Sequence, residues 1–347
     1  MRHLHFGKLF FVVFSLLLAC TVSARKPIKT LLITGQNNHN WQVSHVVLKQ
    51  ILENSGRFDV DFAISPEQGK DMSGFVLDFS PYQLVVLDYN GDSWPEETNR
   101  RIVDIISDVN LCYSEHARRY LMECGMPKER TFVVGSPMAE VLRASLEKIK
   151  ASDVHARLGL TRGRYILLSA HREENIDTDC NFIQLFTAVN AMAETYNMPI
   201  LYSCHPRSRK RLEATGFPLD RRVIAHEPLG FHDYNCLQMN AFAVVSDSGT
   251  LPEESSFFLS AGRPFPAVSI RTSTERPEAL DAGCFVLAGI DADSLLRAVD
   301  MAVSMQAEGR FGTPVTDYTG ENVSTKVARI IQSYTGIVNR LVWRKDG

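Results

Sequence analysis

A turn rich in small hydroxyl residues lies in the second half of the chain, where it could bind phosphate. Residues 246–250 read Ser-Asp-Ser-Gly-Thr, they follow the apolar stretch 241–245, and residues 251–255 have the composition of a helix start. Glycine lets the backbone approach a ligand, and the N–H groups at a helix start attract anions. The pattern predicts a phosphate site at Ser248 and Gly249, with a simple helix cap as the alternative.

Four more polar motifs stand at predicted strand ends. They are His171-Arg172-Glu173-Glu174-Asn175, Ser203-Cys204-His205-Pro206-Arg207, the stretch 228–234 and the stretch 274–278. Tyr234 offers an aromatic ring for a base, and Arg276 offers a guanidinium for a pyrophosphate. Each motif alone could be a structural loop or a solvated one. Because ligands of parallel α/β folds bind at the carboxyl ends of strands, the five motifs together predict one ligand site.

The elements that must position these motifs alternate between strand and helix. Strands are predicted at 29–34, 58–64, 83–88, 109–113 and 131–135, and in a second series at 164–169, 200–203, 223–225, 242–246 and 267–270. Helical spacing of apolar residues is found at 41–52 and at 324–344, and a helix is predicted to start at Ser136-Pro137. This alternation predicts an α/β protein with two Rossmann-like, doubly wound domains and a cleft between them.

The composition is that of an ordinary globular protein. Of the 347 residues, 45% are hydrophobic and 22% are charged, and the formal net charge is −3. This charge provides no electrostatic basis for nucleic-acid binding. The seven cysteines form no C-x-x-C pair, so six are predicted to be small buried residues and none a zinc ligand.

The first residues have the pattern of a signal peptide. Arg2 and Lys8 precede an apolar run from Leu9 to Ala19, and small residues follow it. Cleavage after residues 22–24 by signal peptidase and lipidation of Cys20 in a lipoprotein box both fit. The alternative is a buried element at the start of a cytoplasmic domain.

The motifs of the C-terminal two thirds together resemble the non-hydrolysing UDP-N-acetylglucosamine 2-epimerase family. The matching words are S-A-H-R-E-E-N, S-D-S-G-T-x-x-E-E-S, E-R-P-E, W-P-E-E-T-N-R at 94–100, and the stretches 107–110 and 135–138. The closing stretch 322–345 resembles the branch that acts on deoxy-aminosugar nucleotides of capsule and O-antigen pathways. The resemblance covers about residues 94–345.

This resemblance implies a glycosyltransferase-B-like fold that holds UDP mainly in the C-terminal domain. It implies the following roles: Glu96 as catalytic acid/base, His171 as a UDP contact that supports catalysis, Arg172 as a further UDP contact, Ser248 and Gly249 on the pyrophosphate, Glu254 on the ribose, Tyr234 beside the uracil, and Arg276 on phosphate. The family eliminates UDP from a UDP-2-acetamido sugar and re-adds it with C2 inverted, which needs a base and a stabilised leaving group. The resemblance implies no metal, no redox cofactor and a homodimer.

The N-terminal segment departs from this family. The opening G-T-R-P-E-like loop and the H-x-E-A-G-x-R segment are absent, and two catalytic carboxylates of the family have no counterpart. Residues 28–98 instead resemble the start of a trehalose-utilization (ThuA-like) domain, which implies a glutamine-amidotransferase-like α/β fold that is often exported. Asp88 and Asp92 could supply a replacement carboxylate or be turn residues beside Asn90-Gly91.

The two resemblances predict five segments. These are a signal peptide (1–24), a ThuA-like fragment (28–98), the remainder of the epimerase first domain (99–150), the UDP-binding domain (151–320) and a C-terminal helix that crosses back (321–347). The two resemblances meet at residues 92–98, a short motif that fits both families. The chain is therefore interpreted as a chimera with a hybrid, incomplete first domain. A single enzyme with two functions is the alternative.

Three functions stay open. The first is a UDP-N-acetylglucosamine 2-epimerase-type isomerase for surface polysaccharide precursors, impaired by the loss of first-domain residues. The second is an exported, carbohydrate-associated ThuA-like binding protein with a non-catalytic UDP-binding tail. The third is a related UDP-sugar glycosyltransferase. The signal peptide predicts a periplasmic or lipid-anchored protein, whereas action on UDP-sugars predicts a cytoplasmic one.

Overall fold

The computed structural model describes residues 26–36, 40–67, 70–89 and 96–345. The predicted signal peptide with Cys20, and also Asp92, lie outside the described residues. The chain divides into two compact units, which are Met1–Ser107 together with Ser333–Gly347, and Asp108–Gln332. Among the described residues, no helix has both the length and the apolar character needed to cross a membrane.

The first unit contains a three-stranded parallel sheet in the order β2-β1-β3. Its elements are β1 (Ile28–Thr34), α1 (Trp41–Asn54), β2 (Phe58–Ile64), β3 (Leu84–Leu87) and α2 (Glu96–Ile106). The central strand β1 is almost wholly buried, but alternate residues of β2 and β3 are exposed. Helix α1 buries only His45. Much apolar surface therefore stays open in this unit.

The second unit begins with a two-stranded parallel sheet. Its elements are β4 (Asn110–Cys112), α3 (Glu115–Glu123), β5 (Thr131–Val133), α4 (Met138–Lys150) and α5 (Val154–Leu158). The predicted start of α4 shifts by one position, since Pro137 is the N-cap residue and Ser136 Oγ accepts a hydrogen bond from the N–H of Met138 at 3.1 Å.

A six-stranded parallel sheet follows, in the order β11-β10-β9-β6-β7-β8. Its elements are β6 (Ile166–Ser169), α6 (Glu173–Ile176), α7 (Asp179–Tyr196), β7 (Ile200–Ser203), α8 (Pro206–Thr215), β8 (Val223–His226), α9 (Phe231–Gln238), β9 (Ala243–Ser246), α10 (Leu251–Ser260), β10 (Ala267–Ile270), α11 (Pro277–Asp281), β11 (Val286–Ala288) and α12 (Ala292–Ala307). The last helix is α13 (Val323–Leu341). Counted from β6, the order is that of a Rossmann fold, and it reverses between β6 and β9.

Alternate residues of β6 and β9 point into two apolar cores, one on each face of the sheet. One core joins Ile166 and Val245 to helices α7 and α12, and the other joins Leu167 and Val244 to helices α4, α9 and α10. Both cores are made of fully buried aliphatic and aromatic side chains. Helices cover both faces of the sheet, which explains why its strands are continuously apolar. The predicted α/β class is confirmed.

Two predictions from the sequence are wrong in detail. The sheet has an edge strand, β11, that was not predicted. Its three residues are too few to show the apolar run by which strands are recognised in a sequence. Of the six described cysteines, four are buried, but Cys124 and Cys180 are exposed. Cys124 caps the end of the surface helix α3, and Cys180 lies in the first turn of α7, so both side chains point away from the core.

Candidate functional site

The point where the strand order reverses brings two of the predicted motifs together. The loop after β6 carries His171 and Arg172, and the loop after β9 carries Asp247 and Ser248. Strands β6 and β9 pair in parallel, with Ser169 opposite Ser246. Their carboxyl ends therefore meet at one edge, which is where α/β proteins bind ligands.

Asp247 ties these two loops together. Its side chain is fully buried, and Oδ2 accepts hydrogen bonds from the backbone N–H groups of His171 and Arg172, both at 2.8 Å. The same oxygen accepts from Asn175 Nδ2 at 3.2 Å, and that amide also donates to the carbonyl of Ile270 at 3.0 Å. One carboxylate thus fixes the loop after β6, and through Asn175 it joins the end of β10.

The imidazole of His171 stands beside this carboxylate. Its Nδ1 lies 3.0 Å from Oδ1 of Asp247, and the side chain is 45% exposed. The adjacent carboxylate of Asp247 raises the pKa of His171 above its usual range, although burial and Arg172 act in the opposite direction. The ring of His205, which follows β7, lies 6.4 Å from that of His171. The arrangement favours a cationic imidazole at an open surface.

The turn before α10 has the features of an anion site. Thr250 is the N-cap residue of α10 and makes no side-chain cap, and the hydroxyls of Ser248 and Thr250 lie 3.0 Å apart. A side chain added at Gly249 would meet Arg172 Nη2 at 3.7 Å, so the guanidinium lies over the glycine. Arg172 is held there by a 3.0 Å hydrogen bond from Nε to the carbonyl of Asp247. A cation and a helix start thus face the same small space.

Glu254 lies one turn into α10 and is buried. Oε2 accepts from Gln238 Nε2 and Oε1 accepts from the Thr250 hydroxyl, both at 2.9 Å. Burial raises the pKa of Glu254 and outweighs these two hydrogen bonds. Burial also raises the pKa of the nearby Tyr234, as does the charge of Glu254, although the adjacent side chains of Ser169, Ser246 and Gln238 act in the opposite direction. Tyr234 and Glu254 therefore share one polar pocket at the ends of β6 and β9.

Substituting Glu254→Gln should stabilise the protein as the pH rises. A group whose pKa is raised by folding stabilises the protein below its unfolded pKa, and this contribution is lost as the pH rises through the folded pKa. A neutral amide avoids that loss. The expected gain in unfolding free energy is about 1 kcal/mol at pH 8.

Urea unfolding of both proteins at pH 5 and pH 8 measures this effect. The control is Glu147→Gln, since the Glu147 side chain is 86% exposed. If the difference in unfolding free energy between wild type and Glu254→Gln did not change with pH, ionisation of Glu254 would not destabilise the folded state, and the prediction would be wrong.

Arg276 is held by a second buried acid. Its Nε donates to Oε1 of Glu253 at 2.9 Å, and Oε2 of Glu253 accepts from Ser136 Oγ at 2.9 Å. Glu253 is only 3% exposed, while the Arg276 side chain is 27% exposed. The guanidinium also lies 5.3 Å from the ring centre of Tyr113. Arg276 is therefore anchored on one side and accessible on the other.

The structure thus gathers most of the predicted site residues of the second unit. His171, Arg172, Ser248 and Gly249 surround one turn, and Tyr234 and Glu254 adjoin it through the ends of β6 and β9. Arg276 belongs to the neighbouring loop after β10 and is linked to α10 through Glu253. Glu96 begins helix α2 in the first unit, and its side chain lies outside the described residues.

Sequence reasoning missed the residues that hold this site. Asp247, Asn175, Glu253 and Gln238 bind other protein groups, and they are nearly or fully buried. A charged residue between an apolar strand and a glycine was the available signal for Asp247. Nothing in the local sequence indicates that Glu253 rather than Glu254 pairs with Arg276.

Comparison with known proteins identifies relatives of this chain. A family model described as UDP-N-acetylglucosamine 2-epimerase matches residues 88–332. The UDP-N-acetylglucosamine 2-epimerase of Methanococcus maripaludis is 30% identical over 216 residues, which are 59% of this chain and 57% of that protein. The same enzyme of Methanocaldococcus jannaschii is 28% identical over 220 residues, or 60% and 58%. The chain spans somewhat more than half the length of these curated relatives.

Solved structures have the same fold. The structure of UDP-N-acetylglucosamine 2-epimerase from Rickettsia bellii matches with a TM-score of 0.73 and 31% identity, over 92% of this chain and 100% of that chain. The M. jannaschii enzyme, solved with UDP-GlcNAc and UDP, matches with a TM-score of 0.68 and 20% identity, over 88% of this chain and 100% of that chain. These likenesses confirm the predicted α/β fold with parallel sheets, of the glycosyltransferase-B-like kind.

Proposed function

We propose that this chain, which belongs to the UDP-N-acetylglucosamine 2-epimerase family of isomerases, binds a UDP-sugar at the edge of its six-stranded sheet. The observation that carries this proposal is the pair of hydrogen bonds by which the Asp247 side chain holds the loop after β6. It sets His171 and Arg172 over the turn at Ser248 and Gly249, where a helix begins. Two cations and a helix N-terminus suit the two negatively charged phosphates of UDP.

The remaining contacts suit the rest of the nucleotide. A carboxylate has about four acceptor sites, and Glu254 uses two of them within the protein, so two are left for ribose hydroxyls. Tyr234 presents an aromatic ring in the same pocket for the uracil. Arg276 has its outward side available for phosphate. The complex of the M. jannaschii enzyme with UDP-GlcNAc and UDP supports this class of ligand.

Calorimetric titration of the full chain with UDP should therefore show a binding site. Arg276→Ala should weaken it by about 10-fold to 100-fold, because a hydrogen bond to a charged group contributes about 1.5–3 kcal/mol. Arg310→Ala is the matched control, since Arg310 is exposed and pairs with Glu308 instead.

Two results would contradict the proposal. One is the absence of both heat and thermal shift at millimolar UDP. The other is an equal loss in the Arg276 and Arg310 variants. Removing Arg276 leaves the buried Glu253 without its cation, so thermal melting must accompany the titration.

The reaction proposed is that of the family, inversion of C2 of a UDP-2-acetamido sugar by elimination and re-addition of UDP. Glu96 is proposed as an acid/base residue and His171 as a group that supports the departure of UDP. The reaction is proposed to be impaired, because two carboxylates that the family takes from its first domain have no counterpart here. The substrate is proposed to serve surface polysaccharide synthesis, and the active form to be a homodimer.

The N-terminal segment is proposed to be of different origin. Residues 28–98 resemble a ThuA-like domain, and the preceding residues have the pattern of an export signal. An exported ThuA-like binding protein with a UDP-binding tail is therefore the second candidate function, and residues 151–320 are proposed as the UDP-binding domain. Long-read sequencing of the locus tests this origin, since a contiguous gene among polysaccharide genes would favour the isomerase.

A further inference from the structure

We infer that Asp247 is a positioning residue. It holds the hydrogen of neutral His171 on Nδ1, beside its own carboxylate, and so leaves Nε2 for the ligand. The inference deepens the proposed function and rests on it for the identity of that ligand. Asp247 has no exposed surface, whereas the His171 side chain is 45% exposed. Asp247 therefore acts on the ligand only through its neighbour.

The two oxygens of Asp247 have different tasks. Oδ2 accepts from the backbone N–H groups of His171 and Arg172 and from Asn175 Nδ2, and so holds the loop. Oδ1 lies 3.0 Å from His171 Nδ1 as an ion-pair contact that is not aligned as a hydrogen bond, and it accepts no hydrogen bond from the described residues. Loop anchoring and ring orientation can therefore be separated by experiment.

The ring geometry determines where the proton lies. An ionised carboxylate oxygen at 3.0 Å repels a nitrogen lone pair and attracts an N–H group, so the nitrogen beside Oδ1 carries hydrogen. The pKa of Asp247 lies below its usual range, because its hydrogen bonds outweigh the effect of burial. In neutral His171 the free lone pair is then on Nε2, and in the cation Nε2 carries an N–H that can donate to a phosphate oxygen.

Among the side chains that the structure describes, three charged or titratable groups lie beside this imidazole. They are Asp247 from the end of β9, Arg172 from the same loop, and His205 from the end of β7. His205 Nδ1 accepts from the N–H of Arg207 at 3.3 Å, so Nε2 is the nitrogen that carries the hydrogen in neutral His205. Asp247 is the only acid of the three, so it alone favours the charged form of His171.

Asp247→Asn tests the inference directly. An asparagine retains one oxygen for the backbone N–H groups and places an N–H₂ group where Oδ1 stood. That group donates to Nδ1, so the proton of neutral His171 moves to Nε2. The variant should keep the loop, invert the tautomer and lower the pKa of His171. At pH 6.5 it should weaken UDP binding about tenfold, because the ring keeps an N–H on Nε2 but loses its positive charge.

Long-range ¹H–¹⁵N spectra of the ligand-free, ¹⁵N-labelled chain read the tautomer at a pH above the pKa of His171, where the ring is neutral, and Asn175→Ala is the control. His171→Gln identifies the His171 signals among the ten histidines. Wild type and Asn175→Ala should both show the Nδ1–H form, although Asn175→Ala melts at lower temperature because it loses two hydrogen bonds. Asp247→Asn should show the Nε2–H form.

An Nε2–H form in the wild type overturns the inference, whether or not Asp247→Asn folds. An unchanged tautomer in folded Asp247→Asn overturns it as well. Because these spectra need no ligand, a failure of UDP to bind contradicts the proposed function without deciding the role of Asp247.

Discussion

Deuterium should enter C2 of UDP-N-acetylglucosamine at least about 100-fold more slowly with this chain than with an intact family member. Loss of one general acid/base group typically costs about 10²–10⁴ in rate, and the proposal is that two first-domain carboxylates of the family have no counterpart here. The effects of two groups that act together are not additive, so only a minimum slowing of the exchange is predicted. UDP binding is expected to persist, since its contacts lie in the second unit.

The replacement carboxylates considered from the sequence do not change this expectation. Asp88 follows β3, and its Oδ2 accepts from the hydroxyls of Ser44 at 2.7 Å and Thr34 at 3.2 Å. It is thus bound to α1 and to the end of β1 within the first unit. Asp92 lies outside the described residues.

NMR in heavy water measures this exchange, with the M. maripaludis enzyme as positive control. Arg310→Ala checks that an unrelated substitution leaves the trace rate unchanged. Exchange at the rate of the positive control, abolished by Glu96→Gln, would show that the first domain of this chain is a working part of an active site.

Amides of β1 should exchange with solvent at least about 100-fold faster than amides of β6. The two strands form a matched pair, because both are central, parallel and largely buried. They differ in their surroundings. The sheet of β6 has apolar cores on both faces, whereas the sheet of β1 has three strands with exposed apolar residues such as Leu87.

Helix α1 also leaves much of its apolar surface exposed. Val43, Val47 and Ile51 are 55%, 44% and 61% exposed, so much of the helix's apolar surface contributes little to stability. Sheets that are poorly covered open locally at low free energy. Hydrogen exchange read by mass spectrometry on peptides 28–34 and 165–169 measures the difference. Uniform protection over residues 30–330 would show that the first unit is as cooperative as the second.

The sequence by itself predicted the strands and the position of the turn that is proposed to bind phosphate. Runs such as 200–203 and 267–270 are apolar because both faces of their sheet are covered, and this pattern is local. Polar residues directly after such runs must lie at one edge when the strands are parallel. For this reason His171, Ser248 and Arg276 were predicted as site residues before any contact was known.

Only the tertiary structure decided which charges pair. Asp247 contacts the backbone of His171 across 76 positions of the chain, and Ser136 contacts Glu253 across 117. The first contact exists because the strand order places β9 beside β6, and no local pattern encodes that order. Propensity and periodicity act over one or two turns of chain, whereas the pairing of a buried acid depends on which distant group folding brings to it.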